Sequence, residues 1–240
     1  MSTPERQFAV MVAAGGTGGH VFPALAVCEQ LVDRHVPIIW LGTERGLESR
    51  VVPEAGIQLA AIDVVGFRGK TLWVKMASML SIFKSVFVIW RLIARHRVAV
   101  VLGLGGYVSA AAGIAAFISR TPLLIQEQNA VAGTTNRVLA RLASKIFAGF
   151  PGAFAQSNKV VDSGNPVRRD IVHASSQCRQ NRSDQLHIAV IGGSLGALPI
   201  NEVLPEAIES FIGRCGEMKL TGCPPRARRE TQVRAQYPAK

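Results

Sequence analysis

Three glycine-rich turns constrain this chain more than any other feature. "GGTGGH" (15–20) follows the apolar run 8–14, "GLGGYVSA" (103–110) follows 98–102, and "GGSLGA" (192–197) follows 186–191. Each leads into a segment with helical spacing. Glycine lets the backbone take positive φ and lie close to a ligand. The first N–H groups of a helix lack partners within the helix and suit phosphate or another oxyanion. One such turn is explained equally well as a tight corner; three in the same setting point to a ligand site. The first is neither of the common phosphate motifs. No Gly-Lys-Ser/Thr closes it, and Val21 stands where GxGxxG counted from Gly16 needs a glycine. "GGSLG" also matches the Gly-x-Ser-x-Gly elbow of hydrolases, but no histidine follows Ser194, as that fold requires.

Around these turns, apolar runs and helical patterns alternate. Strands are predicted at 8–14, 37–41, 58–63, 98–102, 122–126, 145–148 and 186–191. Helices are predicted at 23–34, 47–54, 72–96, 109–118, 134–142 and 200–211. Near-continuous apolar strands separated by helices predict a parallel α/β sheet covered on both faces, with ligands beyond the carboxyl strand ends. The polar stretch 173–185 reads as a connection. It gives a first domain over 1–165 and a second beginning at 166 and running to 212. From Gly213 the helical period is lost, and 213–240 hold seven Lys/Arg against two Asp/Glu. This tail reads as aberrant, an out-of-frame or disrupted continuation, with the alternative of a divergent but genuine end.

The chain is 240 residues long and 48% hydrophobic, enough for a substantial core, and its formal charge of +11 asks for an anionic partner. Cys28, Cys178, Cys215 and Cys223 have no paired short spacing, so neither a disulfide framework nor a metal site is predicted. The first apolar run ends in glycines rather than a cleavage site, which argues against a secretory leader. The longest apolar stretch, 76–90, is interrupted by Lys84 and is too short to span a bilayer.

Taken together, "GGTGGHVFPALA", "GLGGYVS", "QEQNAVAGTTNR", "GNPVR" and "GGSLGA", in this order, resemble the peptidoglycan N-acetylglucosaminyltransferase family over about residues 8–212. The resemblance implies an α/β fold of GT-B type. A Rossmann-like N-terminal domain would take the lipid acceptor, and this chain would hold only the start of a second, donor-binding Rossmann-like domain. It implies inverting transfer of N-acetylglucosamine from UDP-N-acetylglucosamine to the 4-hydroxyl of undecaprenyl-pyrophosphoryl-N-acetylmuramoyl-pentapeptide, with no cofactor or metal. It implies Thr17, Gly18 and Gly19 near the donor sugar and diphosphate, Asn129 on the donor sugar, and Arg168 and Ser194 on the UDP moiety. Gly105, Gly106 and Tyr107 would form an acceptor loop, with Tyr107 a packing residue.

A base must take the acceptor proton. His20 has a suitable intrinsic pKa and sits at a helix start; the alternative is that it only binds phosphate or caps the helix. Glu127 is the rival base or acceptor-orienting group; its alternative is a structural carboxylate. Gln126 stands where the family usually has histidine, and Leu195 where it usually has glutamine.

Residues 64–126 contain no Asp or Glu but eight Lys/Arg. Leu72, Trp73, Lys75, Met76, Leu80 and Phe83 predict contact with an anionic membrane surface, while 87–93 is predicted to be core. The expected location is peripheral, on the cytoplasmic face of the inner membrane. The basic span lacks spaced stacking aromatics, so nucleic acid is not an expected partner. A non-catalytic membrane- or acceptor-binding module is the alternative from another class.

Overall fold

The computed structural model describes residues 8–62, 72–178 and 197–215. The chain divides into two compact units, Met1–Ser183 and Asp184–Lys240. The first holds strands β1 (Ala9–Ala13), β2 (Ile38–Gly42), β3 (Gln58–Ala61), β4 (Val98–Gly103), β5 (Leu123–Glu127), β6 (Lys145–Ala148) and β7 (Val160–Asp162). Its helices are α1 (Gly18–Val32), α2 (Glu48–Glu54), α3 (Leu72–Arg95), α4 (Gly106–Ile118), α5 (Thr134–Leu139) and α6 (Arg169–Cys178). In the second unit the described element is α7 (Ala197–Cys215).

The sheet runs β3-β2-β1-β4-β5-β6-β7, and every pairing is parallel. This is the Rossmann-like α/β sheet that the alternation predicts. The winding reverses between β1 and β4, and such a reversal opens a crevice beyond the carboxyl strand ends. Side chains alternate across the sheet. Met11, Ala13, Ile39, Leu41 and Val101 face Ile89 of α3 and Ala112 of α4. Val12, Ala14, Trp40 and Leu102 face Val21, Leu25 and Cys28 of α1 and Val52 of α2. Both faces are buried, which is why the strands read as unbroken apolar runs.

Helix starts differ from the sequence pattern. α1 begins at Gly18, not at Pro23: the N–H groups of His20 and Val21 both donate to the Thr17 carbonyl, at 3.1 and 3.2 Å. Gly18 and Gly19 are therefore part of the helix's own first turn. Pro23, without an N–H, interrupts the pattern without ending the helix. α4 likewise starts at Gly106, ahead of the predicted 109.

Two elements were not predicted. β7 is a three-residue edge strand, too short to show a period. α6 occupies 173–178 of the stretch read as a connection. It is polar, and Arg169 ties it to α1: the Arg169 N–H donates to the Glu29 carboxylate and its guanidinium to the Glu29 carbonyl, both at 3.2 Å, and the guanidinium also pairs with Asp33. α7 continues through 213–215, past the point where the sequence loses its helical period. The predicted strand 186–191 and residues 216–240 lie outside the described residues.

The prediction that 87–93 is core holds for half the helix surface only. Val86, Ile89 and Ile93 are buried, whereas Phe87 is 55% and Trp90 41% exposed. The two exposed rings stack with centroids 5.9 Å apart, and the Arg91 guanidinium lies over Phe87.

Candidate functional site

The first glycine turn is held from below by a carboxylate. Glu48, in the first turn of α2, is fully buried. It accepts from the Gly16 N–H at 3.1 Å, the Thr43 N–H at 2.9 Å and the Thr43 hydroxyl at 2.8 Å. Gly16 takes φ +91°. A Cβ on Gly15 would stand 2.7 Å from the Glu48 carboxylate, so the turn needs bare backbone there. Thr17 is the N-cap residue of α1, yet its side chain makes no cap bond. Gly16, Thr17 and Gly19 are exposed, so the start of α1 presents backbone N–H groups and one hydroxyl to solvent.

The second turn abuts the first because β4 lies beside β1. The Leu104 N–H donates to the Ala13 carbonyl at 3.1 Å. Buried Ser109 accepts from the Gly105 N–H at 3.0 Å, and its hydroxyl lies 2.7 Å from the Ala13 carbonyl, stitching the turns together. Gly105 has φ +108°. A Cβ there would meet the His20 ring at 2.9 Å, so this glycine makes room for the imidazole. Tyr107 packs against the core on the α3–α4 side.

The third wall follows β5. Glu127 is 1% exposed. One carboxylate oxygen accepts from the Asn129 N–H and side-chain amide, at 3.0 and 2.8 Å. The other accepts from the Gly133 N–H and the Asn136 amide, at 3.0 and 2.9 Å. Burial pushes the acid upward, but these four donors outweigh it and hold the carboxyl below its ordinary value. Its acceptor capacity is committed to folding 127–136 into a turn. Asn129, whose amide nitrogen is bound to Glu127, sits exposed at the rim.

Between these walls, His20 Nδ1 lies 3.2 Å from Gln128 Oε1. Gln128 Nε2 donates to Gln126 Oε1. Gln126 Nε2 donates to Asn165 Oδ1 at 3.3 Å, and Asn165 Nδ2 to the Gln128 carbonyl at 3.0 Å. Arg168 lies over the Phe22 ring, 4.7 Å from its centroid, and so beside the first turns of α1.

His20, Thr17, Gly18, Gly19, Gly105, Gly106, Glu127 and Asn129 thus lie in the turns, helix starts and strand end at the carboxyl edge of one sheet, with Arg168 held by Phe22 of α1. Ser194 and Leu195 lie outside the described residues. So do the side chains of Leu72, Trp73, Lys75, Met76 and Leu80, whereas Phe83 is 66% exposed on α3. Sequence reasoning missed Glu48, Ser109, Gln128 and Asn165. For Glu48 a signal existed: an acid in the first turn of a short helix, two residues after Gly46. Among the described residues no group of acids, histidines and cysteines is placed to hold a metal, and no helix is long and apolar enough to cross a membrane.

The fold and these walls define a class: a Rossmann-like domain whose switch-point crevice is bordered by backbone N–H groups, one imidazole and a row of interlinked amides. Residues 10–148 match the glycosyltransferase family 28 N-terminal domain, and the chain belongs to that family. It is 46% identical over 202 residues to the UDP-N-acetylglucosamine--N-acetylmuramyl-(pentapeptide) pyrophosphoryl-undecaprenol N-acetylglucosamine transferase of Pseudomonas paraeruginosa (strain DSM 24068 / PA7), covering 83% of this chain and 56% of that protein. Identity to the Coxiella burnetii (strain Dugway 5J108-111) protein of the same name is 44% over 204 residues, 84% of this chain and 57% of the relative. The crystal structure of Acinetobacter baumannii MurG superposes with a TM-score of 0.66 at 41% identity, covering 85% of this chain and 57% of that one. The chain therefore spans a little over half the length of the relatives it matches.

Proposed function

We propose that residues 1–183 form the acceptor-side half of an inverting glycosyltransferase of peptidoglycan synthesis. The reaction is transfer of N-acetylglucosamine from UDP-N-acetylglucosamine to the 4-hydroxyl of undecaprenyl-pyrophosphoryl-N-acetylmuramoyl-pentapeptide. The observation that carries this is the convergence of three loops, after β1, β4 and β5, on one imidazole at the switch point; the names of the relatives supply the substrates.

In this reading His20 Nε2 takes the proton of the acceptor hydroxyl as its oxygen bonds to the anomeric carbon. The bond from that carbon to the diphosphate breaks, and UDP leaves with the electron pair. Free N–H groups around Thr17, Gly18 and Gly19 and the Arg168 guanidinium meet the growing negative charge. Asn129 offers its amide oxygen to a donor-sugar hydroxyl. Glu127, saturated by four donors, shapes the loop that carries Asn129 rather than moving a proton.

The acceptor's lipid calls for a membrane surface. Exposed Phe83, Phe87 and Trp90 beside Lys84 and Arg91 on α3, with exposed Phe117 and Ile118 on α4, support peripheral binding to the anionic cytoplasmic face of the inner membrane. No step in this reading calls on nucleic acid.

The test joins residues 1–183 to the C-terminal half of the Pseudomonas relative and follows label transfer to lipid acceptor in vesicles. His20→Gln is expected to lower kcat roughly 10²–10⁴-fold with little change in KM for the nucleotide sugar. A His20→Gln chimera with undiminished kcat would end the base assignment. A chimera that sediments with acceptor vesicles yet never transfers would favour the non-catalytic module.

A further inference from the structure

We infer that Asn165 and Gln126, acting through Gln128, fix the tautomer of neutral His20, so that Nδ1 carries the hydrogen and Nε2 the free lone pair. The inference rests on His20 as the proton acceptor and adds three positioning residues to that reading. A side-chain amide has one accepting end and one donating end, so each link in a chain of amides dictates the next. The chain starts at a backbone atom, which has no choice of role. The Gln128 carbonyl accepts from Asn165 Nδ2 at 3.0 Å, which turns Asn165 Oδ1 toward Gln126. Oδ1 accepts from Gln126 Nε2 at 3.3 Å, which turns Gln126 Oε1 toward Gln128. Gln128 Nε2 donates to that oxygen, and lies 3.4 Å from the Gln126 backbone carbonyl, a second acceptor that holds the same orientation. Gln128 Oε1 is then the only end left for His20, 3.2 Å from Nδ1.

An amide oxygen only accepts, so Nδ1 must donate. Gln126 is 3% and Gln128 9% exposed, which leaves little room for water to replace a link. Reversing Gln126 or Gln128 would set acceptor against acceptor in a buried place. Which ring nitrogen holds the proton is governed by the partner of the other, and here that partner is itself governed from the edge of the sheet beyond β7.

The experiment is two-bond 1H–15N correlation on the uniformly 15N-labelled full chain, above the histidine titration, with the His20 ring assigned by its loss in His20→Gln. The wild type should show protonated Nδ1 and unprotonated Nε2. Gln128→Met should switch His20 to the Nε2–H form that an unpartnered imidazole favours. Gln128→Glu, whose carboxylate can only accept, should restore Nδ1–H. Asn165→Ala, at an exposed position, should give a mixture, and this milder variant answers the question if Gln128→Met does not fold. A wild-type ring in the Nε2–H form would overturn the inference, as would Nδ1–H persisting in both Gln128→Met and Asn165→Ala. The base assignment fails separately. An active His20→Gln chimera beside an Nδ1–H wild type removes the base and keeps the relay; an inactive one beside an Nε2–H wild type does the reverse.

Discussion

The turn after β1 and the turn after β5 reach the same edge of the sheet and are built in opposite ways. The first is bare backbone. Its carboxylate, Glu48, comes from α2 and takes one N–H of the turn, that of Gly16, leaving the start of α1 exposed. The second is made of side chains around its own carboxylate, Glu127, which takes four donors within nine residues. A buried carboxylate can thus either brace a loop from outside and leave its N–H groups for a ligand, or absorb them to fix the loop's shape. The first design suits a phosphate or oxyanion, the second a rigid rim of amides for hydroxyl groups.

Removing the self-contained carboxylate should have the largest effect. Glu127→Leu removes the acceptor of four donors at once, leaves the buried Asn136 amide without it, and should cost roughly 3–5 kcal/mol of stability, read as a shift in the urea midpoint. The sign of its pH dependence follows from its lowered pKa. Its stabilisation is complete above the ordinary carboxylate value and is lost as pH falls through the depressed folded value. The gap between wild type and Glu127→Gln should therefore be widest near neutral pH and should narrow as pH falls below the ordinary carboxylate range. A gap unchanged with pH would mean that folding does not lower the Glu127 pKa.

Glu48→Ala comes next. Three donors lose their acceptor, but the Gly16 N–H lies in an exposed turn where water can replace it, so about 2–3 kcal/mol is expected. The two carboxylates should also differ in where damage spreads. Amide exchange should rise at Gly16 and Thr43 in Glu48→Ala, and across 127–136 in Glu127→Leu. Equal spread in both variants would erase the distinction between a brace and an internal frame.

This distinction was partly legible in the sequence. The bare turn announces itself by four glycines in five positions and by its place between an apolar run and a helix. The β5 loop showed its acid and its asparagines but not their arrangement, because two acceptor oxygens and four donors can be paired in several ways until the backbone is known. Glu48 was invisible as a partner of Gly16: 32 residues separate them, and only the order β3-β2-β1 brings α2 beneath the turn. The amide relay draws on α1, β5 and the segment after β7, an edge strand too short to predict. α3 misled for another reason. It carries two apolar stripes, Val86–Ile89–Ile93 and Phe83–Phe87–Trp90, both at helical spacing, and periodicity alone does not say which one the sheet covers.

Gly105 links the two designs, since it shapes the second glycine turn and seats the imidazole that reaches the amides. Gly105→Ala meets φ +108° and a Cβ 2.9 Å from His20 Cε1, so about 1–2 kcal/mol should be lost. Displacement of the ring should lengthen its contact with Gln128, and the His20 ring signals should shift more than those of the other histidines. A stability loss with unmoved ring signals would show the glycine serving the backbone alone.

Thr17 should give the smallest effect on stability, and its smallness is informative. Threonine at an N-cap normally bonds the helix's free N–H groups, and replacing it by alanine costs about 1 kcal/mol. Here the side chain makes no such bond, so Thr17→Ala should lower stability by less than about 0.5 kcal/mol, the range of an ordinary surface change. The same substitution in the chimera should weaken transfer if, as proposed, the hydroxyl and the N–H groups behind it serve the substrate. A stability loss near the usual capping value would place the hydroxyl on the helix, and the bare turn would then be closed from within, as the β5 loop is.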